Sequence, residues 1–353
     1  MTTERDPQAV WRASERVLAG GHPRRWDEDA DRYGGGPAAE RLNARVAELL
    51  GKEAAVWLPS GTMAQQIALR IHADRRGSRT VAFHPHCHLD VHEERGYERL
   101  HGLHARLLGD RNRLIEPADV DEVHEPVAAL LLELPQRDLG GRLPAWNDLV
   151  TTCHKARERG WAMHLDGARL WQCGPFYARP LDEVAALFDT VYVSFYKDLG
   201  APSGCALAGP ADFVDETRVW QVRHGGRMFS VHPLLVAAER ALDEVLPRMP
   251  VYVEHARALG AALAALDDVS VVPDPPQVAM LHLHARRPLE RLQEAALDVT
   301  EERGVWTGRS WTPTEDPAVQ RTELWIGEDA LEVPPDEAAE LYRELLERAR
   351  DAA

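Results

Sequence analysis

Asp166 and Lys197 each end an apolar run that reads as a buried strand. Asp166 follows Ala162 to Leu165, and Lys197 follows Thr190 to Phe195, thirty-one positions further on. In α/β sheets ligands collect at the C-terminal ends of the strands, so an acid and an amine ending neighbouring strands face one crevice. Spacing alone is satisfied by a plain ion pair tying two loops. A third feature adds chemistry. Ser60-Gly61-Thr62 precedes a helical pattern, where open N–H groups and a hydroxyl can hold a phosphate. A phosphate site, a lysine and an isolated carboxylate together meet the needs of pyridoxal phosphate. The lysine forms a Schiff base, and the carboxylate keeps the pyridine nitrogen protonated so that the ring takes up electrons.

A second cluster is His84-Pro85-His86-Cys87-His88, with His92 close behind. His88 and His92 have the i, i+4 spacing of helical zinc ligands, so a zinc site is one account of it. Loop and surface histidines are another. The four cysteines, Cys87, Cys153, Cys173 and Cys205, form no close pair, which indicates neither a disulfide framework nor a CxxC metal site.

The elements that must position these residues alternate. Ala38 to Leu50 has a helical stripe (Leu42, Val46, Leu49/Leu50) stopped by Gly51, Ala54 to Leu58 reads as a strand, and a helix follows from Met63. Ala128 to Leu134, Ala162 to Leu165 and Thr190 to Phe195 read as strands buried on both faces, with a helix at Trp146 to Arg159. Strand-helix alternation of this kind predicts an α/β layer structure with a mostly parallel sheet. From Val231 the pattern changes to long helices, Val231 to Leu246 and Val251 to Leu266. Strands are expected at Val269 to Val272, Met280 to Leu283 and Thr322 to Ile326, before a terminal helix carrying Leu341, Leu345 and Ala349. This places a boundary near 240–250. The expected layout is an N-terminal segment at 1–34 packing on the large or a neighbouring domain, a large cofactor domain at 35–245, and a smaller C-terminal α+β domain at 246–353.

Composition bounds the possibilities. At 353 residues the chain is long enough for two or three domains without staples. Apolar residues make up 44% and charged ones 28%, which is ordinary globular usage. Lys+Arg number 41 against 57 Asp+Glu, a formal net charge of −16. Such a surface repels polyphosphates and anionic membranes, so nucleic acid is not expected as a partner. No apolar run is long enough to span a bilayer, and the opening residues lack the layout of a signal peptide, so a soluble, cytoplasmic protein is expected.

Three segments, Ser60-Gly61-Thr62-Met63-Ala64, His164-Leu165-Asp166-Gly167-Ala168-Arg169-Leu170 and Lys197-Asp198-Leu199-Gly200-Ala201-Pro202, together resemble the threonine aldolase/β-eliminating lyase family. The resemblance runs in order from about Tyr33 to Arg321. It implies the aspartate aminotransferase fold, fold type I, and pyridoxal phosphate as cofactor. Carried over residue by residue, it makes Lys197 the cofactor lysine, Asp166 the partner of the pyridine nitrogen, and Ser60, Gly61, Thr62 and Ser194 the phosphate cup. It also makes His88 the histidine stacked on the cofactor ring, with His86 as a neighbour near the substrate. Arg169 matches the family's arginine near the substrate carboxylate, and Arg321 falls where a second is expected. A planar guanidinium grips a carboxylate bidentately, which suits arginine to that task. The family builds its sites at subunit interfaces, which implies a homodimer or homotetramer with Tyr33 and Arg227 contributed from the neighbouring chain.

The chain also departs from the family. Gln136, in Glu133-Leu134-Pro135-Gln136, stands where a histidine is usual, and Tyr196 stands before the lysine in place of a serine. A glutamine can hydrogen-bond the cofactor's ring oxygen but is no general base near neutral pH. The resemblance implies aldol cleavage of a β-hydroxy-α-amino acid, such as threonine or phenylserine, to glycine and an aldehyde, or the reverse synthesis. His88 or His86 is then the candidate base. The lost histidine motivates an alternative, β-elimination from a serine- or cysteine-type amino acid to a keto acid and ammonia. A more distant alternative is a zinc-dependent protein using His84 to His92.

Overall fold

The structure, a computed structural model, describes residues 33–308 and 310–350. The proposed segment at 1–34 lies almost wholly outside the described residues. The described chain forms two compact units, one of residues 33–136 and Leu143–Pro247, the other of Arg137–Arg142 and 248–350.

The first unit is built on seven strands: β1 (Ala54–Leu58), β2 (Thr80–Phe83), β3 (His104–Leu107), β4 (Ala129–Glu133), β5 (Ala162–Gly167), β6 (Thr190–Ser194) and β7 (Cys205–Gly209). Their order is β1-β7-β6-β5-β4-β2-β3. The pairs among β3, β2, β4, β5 and β6 are parallel, while β7 runs antiparallel to both β6 and β1. This is the expected mostly parallel α/β sheet. Its longer helices are α1 (Pro37–Leu49), α2 (Gly61–Arg76), α3 (Trp146–Glu158), α4 (Ala211–Arg223) and α5 (His232–Glu244).

The strand and helix expectations fall within a few residues of these bounds, and the misses have physical causes. β3 is an edge strand with the polar pattern His104-Ala105-Arg106-Leu107, so it carries no apolar run. β7 is buried but made of small residues, and four-residue β2 is too short for a period to register. α2 starts at Gly61, two residues before the expected position, because Ser60 is extended and its Oγ accepts the N–H of Met63 at 3.3 Å as a helix cap. Its far end is closed by Gly77 in the left-handed conformation.

α2 lies over the sheet face carrying Tyr192 and Leu207, with Ala64, Ile67, Ala68 and Ile71 buried against it and Phe213 of α4 beside them. A buried polar chain runs through the same layer. His164 Nε2 lies 2.6 Å from Gln65 Oε1, His164 Nδ1 lies 2.8 Å from Thr190 Oγ1, and His72 Nε2 lies 2.8 Å from the same hydroxyl. An amide oxygen only accepts, so His164 carries its proton on Nε2 and Nδ1 accepts from Thr190, whose oxygen accepts from His72. The chain thus fixes α2 to β5 and β6 through neutral imidazoles.

Neutrality has a thermodynamic consequence. Burial, the largest cause in each case, pushes His72 well below the ordinary histidine value, His164 to about 3, and His101 and His284 to about 4. Below pH 6.5 the unfolded chain binds protons at these four sites that the folded chain does not, so stability falls as pH drops toward 4. Burial lowers His84, His224 and His255 as well, whereas Asp166 and Asp198 are raised by burial and act in the opposite direction, two groups against seven. The melting temperature is expected to be lower at pH 5 than at pH 7, and an equal or higher value at pH 5 would contradict this.

The second unit carries a four-stranded antiparallel sheet of β8 (Val269–Val272), β9 (Met280–Ala285), β10 (Thr312–Pro313) and β11 (Gln320–Trp325), in the order β10-β11-β9-β8. Helices α6 (Met249–Ala264), α7 (Leu289–Arg303) and α8 (Pro335–Arg348) accompany it. α7 was not expected, because its apolar stripe is narrow and only Leu292, Ala295 and Val299 are buried. Within this unit Glu323 of β11 takes Arg137 in a two-pronged pair, with Nε 2.9 Å from Oε2 and Nη2 3.1 Å from Oε1. His282 Nε2 lies 3.4 Å from the same carboxylate. Glu323→Ala takes the counter-charge from a largely buried guanidinium and is expected to cost about 3–5 kcal/mol. A denaturant midpoint equal to that of the unchanged protein would refute this.

Candidate active site

The candidate residues of the first unit gather at the C-terminal ends of β4, β5 and β6. Asp166 pairs across the sheet with Glu133 on one side and Tyr192 on the other. Asp166 is 4% exposed, and its Oδ1 accepts the N–H of Ala168 at 3.0 Å. Burial raises its pKa, while the charges of Lys197 and His88 act on it and pull it back down. The structure therefore brings Asp166, Lys197 and His88 into one electrostatic neighbourhood.

Lys197 leaves β6 through a tight turn that Ser194 holds. The Ser194 Oγ accepts the Lys197 backbone N–H at 3.2 Å, and the Ser194 carbonyl accepts Trp171 Nε1 at 2.7 Å. Because Oγ acts there as an acceptor, its own proton remains available to an anion. The Lys197 ammonium lies 5.9 Å from the centroid of the Tyr196 ring. Arg169 is buried, with Nε 3.9 Å from the carboxylate of Asp198. Burial raises Asp198 to about 6 against the pull of Arg169.

The Ser60-Gly61-Thr62 segment is the first turn of α2. Ser60 spends its oxygen on the helix cap, Gly61 is buried and Thr62 is exposed. Gly61 is sterically fixed. A Cβ there would collide with the Tyr192 hydroxyl and stand 2.6 Å from its ring carbon Cζ.

His88 Nδ1 lies 2.9 Å from Glu93 Oε1, and the Glu93 side chain is buried, so the carboxylate sets both the ring's orientation and its tautomer. His92 lies beside it, ring centroids 5.0 Å apart. The zinc reading loses its ligands here. His84 donates from Nε2 to the carbonyls of Asp110 and Arg113 at 3.0 and 2.8 Å, and its Nδ1 accepts the N–H of His86 at 3.0 Å. Both nitrogens of His84 serve the backbone, and among the described residues no three His, Cys, Asp or Glu side chains converge as a ligand set.

Gln136 is buried at the end of β4. Its two amide protons go to Glu133 Oε2 at 3.1 Å and the His86 carbonyl at 3.2 Å, so it braces the histidine loop instead of offering a proton to a ring oxygen. Tyr33 and Arg227 meet at an exposed patch. Arg227 Nε donates to the Tyr33 carbonyl at 3.3 Å, its guanidinium lies over the Tyr33 ring, and Phe229 packs edge-on against that ring. In the second unit, Arg321 on β11 donates to the Asp138 carbonyl at 3.2 Å and lies 3.6 Å from its carboxylate.

Sequence reasoning missed Glu133, Asp198 and Tyr192 as neighbours of these groups. Period two along β6 holds the signal for Tyr192, since Thr190, Tyr192 and Ser194 share a strand face.

The profile of the beta-eliminating lyase family matches residues 26–286. The chain belongs to that family. The low-specificity L-threonine aldolase 1 of Arabidopsis thaliana is 30% identical over 253 residues, 69% of this chain and 70% of that protein. Among solved structures, a protein assigned as an L-allo-threonine aldolase from Listeria monocytogenes superposes with a TM-score of 0.91 at 36% identity, covering 97% of this chain and 94% of its own. A protein assigned as an aromatic amino acid beta-eliminating lyase/threonine aldolase from Exiguobacterium gives 0.90 at 35% identity, covering 99% and 96%. Beta-eliminating lyases of this kind are pyridoxal-phosphate enzymes of fold type I, and the chain has that fold and that cofactor. The residues present fit the group. A lysine, a buried acid at a parallel-strand end and a helix start whose first residue admits no side chain supply an amine, an anion and a phosphate cradle. Among the described residues no helix is long and apolar enough to cross a membrane.

Proposed function

We propose that this lyase cleaves a β-hydroxy-α-amino acid, with threonine and phenylserine as test cases, to glycine and an aldehyde, or runs the reverse synthesis. What supports the reading is one observation joined to the family match: Asp166 and Lys197 stand at the C-terminal ends of the neighbouring parallel strands β5 and β6, the lysine's turn being held by Ser194. Bound pyridoxal phosphate supplies an electron sink for the bond that breaks.

The protein's own residues have separable tasks. Lys197 would hold the cofactor's aldehyde carbon through Nζ. Asp166, shielded from water, would keep a proton on the pyridine nitrogen by its charge. The N–H groups of Gly61 and Thr62 and the hydroxyls of Thr62 and Ser194 hold the phosphate, with the Ser60 cap fixing the turn that presents them. His88, oriented by Glu93, would stack on the cofactor ring and is the first candidate to take the substrate's hydroxyl proton, with His86 second. Arg169 and Arg321 are assigned to the substrate carboxylate on the family resemblance. The exposed patch of Tyr33 and Phe229 (49% and 62% exposed) around Arg227 supports assembly with a second copy, as a homodimer or homotetramer. Light scattering on the purified protein tests this, and a monomer would refute it.

Purified protein given L-threonine or L-phenylserine is expected to release glycine and the matching aldehyde. Release of pyruvate and ammonia from serine, with no glycine from either test substrate, would overturn the reading in favour of β-elimination. That alternative keeps some support, because Gln136 spends both its protons internally and offers no acid-base group.

A further inference from the structure

Tyr196 occupies the position before the cofactor lysine where a serine is usual in the family, and its surroundings give it a task. Tyr196 is 38% exposed, and its ring centroid lies 5.9 Å from the Lys197 ammonium. Its side chain hydrogen-bonds that of Tyr192, which is buried on β6. The Tyr192 hydroxyl lies against Gly61, the first residue of α2, so closely that no side chain fits there. Two phenols therefore meet at the helix start that cradles a phosphate. Burial raises the pKa of both, so each keeps its proton at neutral pH. One proton closes the bond between the two oxygens, and the pair has a second to give to an acceptor. A phosphate monoester is such an acceptor, and a donor to a charged oxygen makes a stronger bond than one to a neutral group.

We propose that the Tyr192–Tyr196 pair completes the phosphate cradle, with Tyr196 donating to the cofactor phosphate and Tyr192 holding the Tyr196 hydroxyl in place. Tyr196 is thus a cofactor-binding residue and Tyr192 a positioning residue. The inference rests on the reading that pyridoxal phosphate sits at Lys197 and the start of α2.

The experiment compares apoprotein binding of pyridoxal phosphate with that of pyridoxal, which lacks the phosphate, for unchanged protein, Tyr196→Phe, Tyr192→Phe and the double variant. Absorbance reports binding without any turnover. Tyr196→Phe is expected to weaken pyridoxal phosphate about tenfold or more while pyridoxal stays within twofold, because only the phosphate bond is lost. Tyr192→Phe should show a smaller loss of the same selectivity, and the double variant should bind no more weakly than Tyr196→Phe. Equal weakening of both ligands, or no weakening of pyridoxal phosphate, overturns the proposal while the cofactor reading stands. Unchanged protein that binds neither ligand overturns both.

Discussion

Lys197→Ala is expected to lower lyase activity by more than about a thousandfold, since the cofactor loses its covalent holder and its substrate-exchanging amine together. The variant should also lack the visible absorbance of the purified protein and melt where the unchanged apoprotein does. The Lys197 side chain is not part of the core. The turn that carries it is held by backbone contacts to Ser194, which alanine preserves. Added primary amines should restore part of the activity by supplying the missing nitrogen. A variant with more than a tenth of normal turnover would contradict the role given to this residue.

Asp166→Asn is expected to cost about 10²–10⁴-fold in kcat, the range seen when a group that holds a proton or charge in the transition state is removed. The substitution is sharp because it is nearly isosteric. The asparagine oxygen can still accept the Ala168 N–H that Asp166 accepts at 3.0 Å, so the strand end keeps its shape. What is lost is the buried negative charge, and with it the proton held on the pyridine nitrogen. Lys197 and His88 also lose the anion whose pKa they depress. Cofactor content measured on the purified variant separates the two parts of the effect. A variant with full cofactor and near-normal kcat would show that Asp166 is structural.

The sequence made the parallel core and the chemistry-bearing strand ends readable for one reason. Buried parallel strands are continuous apolar runs, and Asp166 and Lys197 interrupt the ends of two of them. β3 and α7 were not readable because an edge strand and a mostly exposed helix need few apolar residues. The site was legible where a residue type carries its task, as with Lys197, Asp166 and Gly61. It was not legible where the task depends on where a proton already goes. Gln136 spends its donors on Glu133 and the His86 carbonyl, and His84 spends both nitrogens on the backbone, and neither fact has a sequence signature. Tyr196 reads in the sequence as a departure from a family habit. Only the fold joins it to Tyr192 and Gly61, residues 4 and 135 positions away.

The acidic surface is compatible with this site. A net charge of −16 disfavours long polyanions, whereas one phosphate monoester needs only a few well-placed donors.

The proposed chemistry turns on pyridoxal phosphate being bound to Lys197. Borohydride reduction of the purified, cofactor-loaded protein, followed by proteolysis and mass mapping, tests it most directly. The predicted result is a single pyridoxyl-phosphate adduct on the peptide containing Val193-Ser194-Phe195-Tyr196-Lys197, with loss of the visible absorbance. An adduct on another lysine, or a protein that loses no absorbance and carries no adduct, would contradict the account.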